Sequence, residues 1–98
     1  DVILASFITP THAIRTMIRE IIPVEFIEIY IRCSVETCIN RDPKGLYKKA
    51  LANDIKLFTG VSSVYEPPLN PNIIIDTEHT AVDHSSQQLI QFIHQLNL

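Results

Sequence analysis

Arg41, Lys44, Lys48, Lys49 and Lys56 place five of the chain's eight basic residues within positions 41–56. The chain as a whole is acidic, with a net charge of −3 over 98 residues. Pro43 and Gly45 lie inside the same cluster, so positive charge coincides with backbone punctuation. That combination suits a mobile cationic flap closing over a small anionic molecule. Phe58-Thr59-Gly60 and Tyr65-Glu66-Pro67 follow it.

Composition narrows the setting. A pI near 5.7 excludes a general nucleic-acid binder, which needs a broad basic face. An apolar fraction of 46% is enough for a core and excludes disorder. The length allows one domain. No run approaches the ~18 apolar residues of a membrane span, and no leader is visible at Asp1. Cys33 and Cys38 have no second Cys or His pair at zinc-ligand spacing, and His12, His79, His84 and His94 share no common spacing. The cysteines are expected as structural thiols, the histidines as surface residues, and no metal site is assigned. A soluble, reducing, cytoplasmic setting is expected.

The elements that must position the basic cluster follow from hydrophobic periodicity. Residues 1–7 (DVILASF) are an apolar run rich in strand formers, fit for a strand buried on both faces. Pro10 opens a helical pattern with Thr9 as its cap, Ile14, Met17, Ile18, Ile21 and Ile22 on one face, and Pro23 as its stop. Residues 26–33 (FIEIYIRC) form a second strand, and Ser34 caps a short helix through Arg41 that has Glu36 in its first turn. Asp42-Pro43 ends that helix. A helix is expected over residues 46–53, and an extended or looping stretch over 58–72. Residues 73–76 form a third strand and residues 82–96 a last helix, with Val82, Leu89, Phe92, Ile93 and Leu96 along one side. The order β-α-β-α-flap-β-α predicts an α/β protein with a parallel sheet.

Several strings in this chain resemble the adenylylsulfate kinases. They are Ser6-Phe7-Ile8-Thr9-Pro10 with Arg15 five residues beyond the proline, Phe26-Ile27-Glu28-Ile29-Tyr30, and the specific run Arg41-Asp42-Pro43-Lys44-Gly45-Leu46-Tyr47-Lys48-Lys49-Ala50. Ile55-Lys56, Phe58-Thr59-Gly60 and Tyr65-Glu66-Pro67 complete the match, which covers essentially the whole chain. The resemblance implies that residues 1–98 are the C-terminal part of such a kinase domain, with a lid over about 42–68. The fold it implies is an incomplete parallel-sheet P-loop kinase fold of three strands, flanking helices and a basic lid.

The activity implied is transfer of the terminal phosphate of ATP to the 3′-hydroxyl of adenylyl sulfate, with ATP and Mg²⁺ used by the complete domain. Ile8 and Thr9 fall on the turn that contacts adenylyl sulfate. Members commonly carry serine at the second of these positions, a phosphoryl-accepting residue in some. Thr9 keeps the hydroxyl and adds a methyl, and is the catalytic candidate. Lys44 falls where a lysine meets the substrate's charged moiety, and Leu57 and Phe58 where a ring stacks on its adenine. Arg41 and Thr80 lie where the ATP adenine is held. Plainer roles stand beside these: Lys48 and Lys49 as a solvated helix face, Phe58 as a core aromatic, Arg41 as a charge on a helix dipole, Arg15 as an ion-pair partner. The family resemblance also allows a homodimer.

With only Gly45 and Gly60 available, the chain holds no Gly-x-x-x-x-Gly-Lys-Ser/Thr loop, the element that cradles ATP phosphates and supplies a Mg²⁺ ligand. In P-loop kinases of this type the strand before that loop lies at the sheet centre, between the strands matching residues 2–7 and 26–33. Those two are therefore expected to flank a vacant slot with unpaired backbone on both edges. Two functions follow: part of a working adenylylsulfate kinase, or a truncated, inactive module that at most binds nucleotide or a partner chain.

Overall fold

A computed structural model describes residues 1–96. In chain order the elements are α1 (His12–Ile21), β1 (Ile29–Arg32), α2 (Val35–Arg41), α3 (Leu46–Leu51), β2 (Ile73–Asp76) and α4 (Val82–Gln95). The two strands pair in parallel, Ile29 opposite Ile73 through Arg32 opposite Asp76. Parallel pairing requires a long crossover, and here α2, α3 and residues 52–72 supply it.

Local chemistry accounts for most element ends. Ser34 accepts from the Thr37 amide at 3.2 Å to start α2, with Glu36 in the first turn and Arg41 in the last, each where the helix dipole favours it. The start of the sheet is clamped: the Glu28 amide donates to Asn72 Oδ1 at 2.7 Å, and the Asn72 amide donates to the Glu28 carbonyl at 2.9 Å. At the other end the Thr77 amide donates to the Arg32 carbonyl at 3.0 Å. The helix expected over 82–96 and the strand expected over 73–76 are present as α4 and β2. The helix expected over 46–53 stops at Leu51, and Asn53 then takes a left-handed φ of 61°.

Three expectations are corrected. Thr11, not Thr9, caps α1, its hydroxyl accepting from the Ile14 amide at 3.3 Å. Thr9 stands outside the helix with a positive φ of 41°. The strand expected over 26–33 is shortened to Ile29–Arg32, the span over which β2 offers ladder partners. Residues 2–7 form no strand, and Ile3 and Phe7 are 90% and 80% exposed. A strand needs a neighbour for its amides and carbonyls, and among the described residues β1 pairs with β2 alone. A cleft of about 1390 Å³ is lined both by Ala5 and Phe7 and by Ile29 and Ile31 of β1.

The core is correspondingly small. Among the described residues only Ile75 and Ala50 are fully buried apolar side chains, while Met17 and Ile21 of α1 stay more than half exposed. The radius of gyration, 15.2 Å, exceeds the roughly 13 Å expected for a compact domain of this length. Apolar surface on α1 and residues 2–8 thus lacks a covering layer within these residues.

Candidate functional site

The turn at Thr9-Pro10 is built by contacts from two distant segments. Arg15, on the first turns of α1, is only 7% exposed, and its Nε donates to the Thr9 carbonyl at 2.9 Å. Its guanidinium lies over the Tyr65 ring, 5.4 Å from the centroid. Next to Tyr65, the Glu66 amide donates to the Pro10 carbonyl at 2.7 Å, and Glu66 Oε1 accepts from the His12 amide at 3.0 Å. Arg15 makes no ion pair among the described residues, so the ion-pair role gives way to a carbonyl bond and a ring contact. Burial pushes the Tyr65 hydroxyl's pKa up, against the opposing pull of Arg15.

After α2, the Asp42 carboxylate accepts from the amides of Tyr47 at 2.9 Å and Lys48 at 3.0 Å, capping α3. Gly45 adopts a φ of 66°, which its missing Cβ permits, and Lys44 beside it is exposed with no hydrogen bond or ion pair among the described residues. Further on, Leu57 is 80% exposed at a φ of 53°. Phe58 is half-buried and meets Tyr47 edge-on, centroids 4.9 Å apart. The amides of Val61, Ser62 and Ser63 all converge on the Phe58 carbonyl, and the Phe58 amide donates to Ser62 Oγ at 2.8 Å. The ring is therefore carried on a closed turn.

Ile8, Thr9, Leu57 and Phe58 all line the cleft of about 1390 Å³, joined there by Arg15 and Tyr65. Folding brings together four candidate residues separated by about fifty positions of sequence. Lys44 lies outside this lining, exposed between α2 and α3.

Arg41 and Thr80 gather at a second place, the loop after β2. Arg41 Nη2 donates to the Glu78 carbonyl at 3.3 Å, its Nη1 reaches Cys33 Sγ at 3.8 Å, and the Thr80 hydroxyl donates to the Asp76 carbonyl. Asp76 anchors this loop, accepting from the amides of Glu78 and His79 and pairing with the His79 ring at 2.9 Å. The His79 hydrogen bond holds the Asp76 carboxyl down to about 2, and the same contact raises His79. Glu78 is lowered by the Ser34 hydroxyl and then by that of Thr37. His79 is exposed as expected but carries an ion pair that its surface setting did not suggest. Cys33 and Cys38 are free thiols, and burial first, then Cys38, pushes Cys33 up. Among the described residues no three His, Cys, Asp or Glu side chains gather as a metal site.

The role of Arg15 on the Thr9 carbonyl and the Asp76–His79 pair were not legible in the sequence. Tyr65-Glu66-Pro67 stood out as a motif, but its docking on the Thr9-Pro10 turn did not.

A parallel β1–β2 pair joined by a helical crossover, with no strand on the other edge of β1 among the described residues, is part of a P-loop kinase fold. The chain superposes with a TM-score of 0.83 and 32% identity on the Mycobacterium tuberculosis APS kinase solved in complex with AMPPNP and APS, covering 90% of this chain and 52% of that one. The sequence model of the family described as adenylylsulphate kinase matches residues 1–76, and the chain belongs to that family. A probable adenylyl-sulfate kinase of Halalkalibacterium halodurans is 50% identical over 90 residues, 91% of this chain and 45% of the relative. An adenylyl-sulfate kinase of Staphylococcus haemolyticus is 50% identical over 91 residues, 92% of this chain and 46% of the relative. The chain thus spans about half the length of the curated relatives it matches. No helix among the described residues is long and apolar enough to cross a membrane.

Proposed function

We propose that residues 1–98 are the C-terminal part of an adenylylsulfate kinase domain, with residues 42–68 as its lid, and that they supply its adenylyl sulfate side. The complete domain transfers the terminal phosphate of ATP to the 3′-hydroxyl of adenylyl sulfate, in the cytoplasm. The observation that carries this reading is the shared cleft: the Ile8-Thr9 turn and the Leu57-Phe58 segment line one cavity, although 48 to 50 positions apart.

In this reading Phe58 offers its ring to the substrate adenine, and the Ile8-Thr9 backbone frames the sugar and phosphate. Lys44, free on the lid, reaches the charged moiety when the lid closes. Arg41 and Thr80, fixed to the loop after β2, hold the ATP adenine. Phosphoryl transfer depends on positioning and charge neutralisation more than on covalent chemistry, so a cationic lid on a preset turn is an apt device. Mg²⁺, when bound by the complete domain, would supply neutralisation of charge at the phosphates. The described residues offer it no cage, and no step of this chain is routed through it.

The test is transfer of labelled phosphate from ATP to adenylyl sulfate by the complete domain that contains this chain. Labelled 3′-phosphoadenylyl sulfate is the expected product, and its absence refutes the reading. The 98 residues alone are expected to form none, since the phosphate-cradling loop is not among them.

A further inference from the structure

We propose that Arg15, Tyr65 and Glu66 form a clasp that sets the backbone of Thr9 for adenylyl sulfate, acting as positioning residues that govern its binding and leave that of ATP unchanged. The inference rests on the functional reading above and assigns that site a new set of residues.

Thr9 is a β-branched residue at a φ of 41°, a conformation such residues rarely adopt. Strained backbone of this kind persists only where its surroundings over-determine it, and it clusters at functional sites. Here the surroundings are specific. Arg15 Nε holds the Thr9 carbonyl at 2.9 Å, and the Glu66 amide holds the next carbonyl, that of Pro10, at 2.7 Å. Glu66 Oε1 in turn takes the His12 amide at 3.0 Å, so one residue grips the turn from both sides.

Arg15 is kept in place by the Tyr65 ring, 5.4 Å below its guanidinium carbon. Tyr65 is itself stacked on Tyr30 of β1, with centroids 6.5 Å apart and planes 29° from parallel. A chain of contacts therefore runs from the sheet through Tyr30, Tyr65 and Arg15 to the Thr9 carbonyl. With no carboxylate partner among the described residues, Arg15 gives its Nε to the carbonyl and its guanidinium face to the ring, while Nη1 lies 3.4 Å from His12 Nδ1 and Nη2 has no partner among them, a planar arrangement lysine cannot reproduce. Tyr65 and Glu66 end the lid segment, so the same contacts tie the lid to the turn.

Arg41 at the end of α2 and Thr80 on the loop after β2 share none of these bonds. Loosening the clasp therefore disturbs one substrate and not the other.

The experiment uses the complete kinase domain and measures initial rates with adenylyl sulfate and ATP varied separately, alongside melting temperature. Arg15→Lys, Tyr65→Leu and Glu66→Ala are each expected to raise KM for adenylyl sulfate about three- to thirtyfold and to move KM for ATP less than about twofold. Tyr65→Phe, which keeps the ring, is expected to raise KM for adenylyl sulfate clearly less than Tyr65→Leu does. Should Arg15→Lys fail to fold, Tyr65→Leu and Glu66→Ala carry the same reading. Equal rises in both KM values, or lowered melting with both KM values unchanged, overturn the clasp alone. Failure of the unsubstituted domain to turn over adenylyl sulfate overturns the functional reading and this inference together.

Discussion

The Phe58 ring meets the Tyr47 ring edge-on, with centroids 4.9 Å apart and planes at 72°. This joins the turn that carries Phe58 to α3 and leaves Phe58 half-buried while it lines the cleft. The ring therefore has a packing partner within the protein and access to the proposed adenine.

Phe58→Leu separates those contributions in the complete domain. Loss of the aromatic edge is worth about 0.5–1.5 kcal/mol, a fall of a few degrees in melting temperature. Loss of base stacking is worth about 1–3 kcal/mol of substrate affinity. Calorimetric titration with adenylyl sulfate and a melting scan on the same sample read both. A large melting shift with unchanged affinity would assign Phe58 to packing alone.

Lys44 is exposed and without a partner among the described residues, so removing its charge disturbs little in the unliganded fold. Lys44→Ala is expected to lower kcat/KM for adenylyl sulfate by about tenfold to a hundredfold, the worth of a charge-assisted contact. Lys49→Ala, on the exposed side of α3, is expected to change it much less. Equal losses would show that another lysine faces the ligand.

Asp42 caps α3 through two amides and so sets the turn that carries Lys44. Asp42→Ala is expected to destabilise the complete domain by about 1 kcal/mol in urea denaturation. Asp42→Asn keeps an acceptor and is expected to recover part of the loss. An unchanged midpoint for Asp42→Ala would refute the capping role.

The Asp76–His79 pair predicts a defined pH dependence. Asp76 is held near 2 against an ordinary 3.8, so its contribution is present above the ordinary value and is lost as pH falls from about 4 to about 2. His79 is raised above 6.5, so its contribution is full below that value and fades as pH rises through the raised one. The pair therefore helps most between about pH 4 and about pH 6.5. Solvent exposure keeps the effect small. Urea midpoints at about pH 5.5 and about pH 8.5 are expected to differ less in His79→Gln than in the parent. An identical pH difference in both would remove the pair from the account.

Local signals in the sequence were sufficient where a side chain acts on its own neighbours. Ser34 capping α2, the helical period of residues 82–95, and the β-branched run at 73–76 each carry their own cause within a few positions. The 41–50 string identified the family because its residue types are specific in order and needed no partners to be recognised. What the tertiary structure alone decided depends on partners far along the chain. Residues 2–7 have strand composition, yet they stay unpaired because no ladder neighbour reaches them among the described residues. Thr9 reads as a cap, but Arg15, Tyr65 and Glu66 hold it in a left-handed turn and Thr11 takes the helix end. Ile8 and Phe58 share a cleft because the parallel pairing of β1 with β2 folds the crossover back beside α1. Periodicity reports which faces are apolar; long-range hydrogen bonds and stacking decide which of them meet.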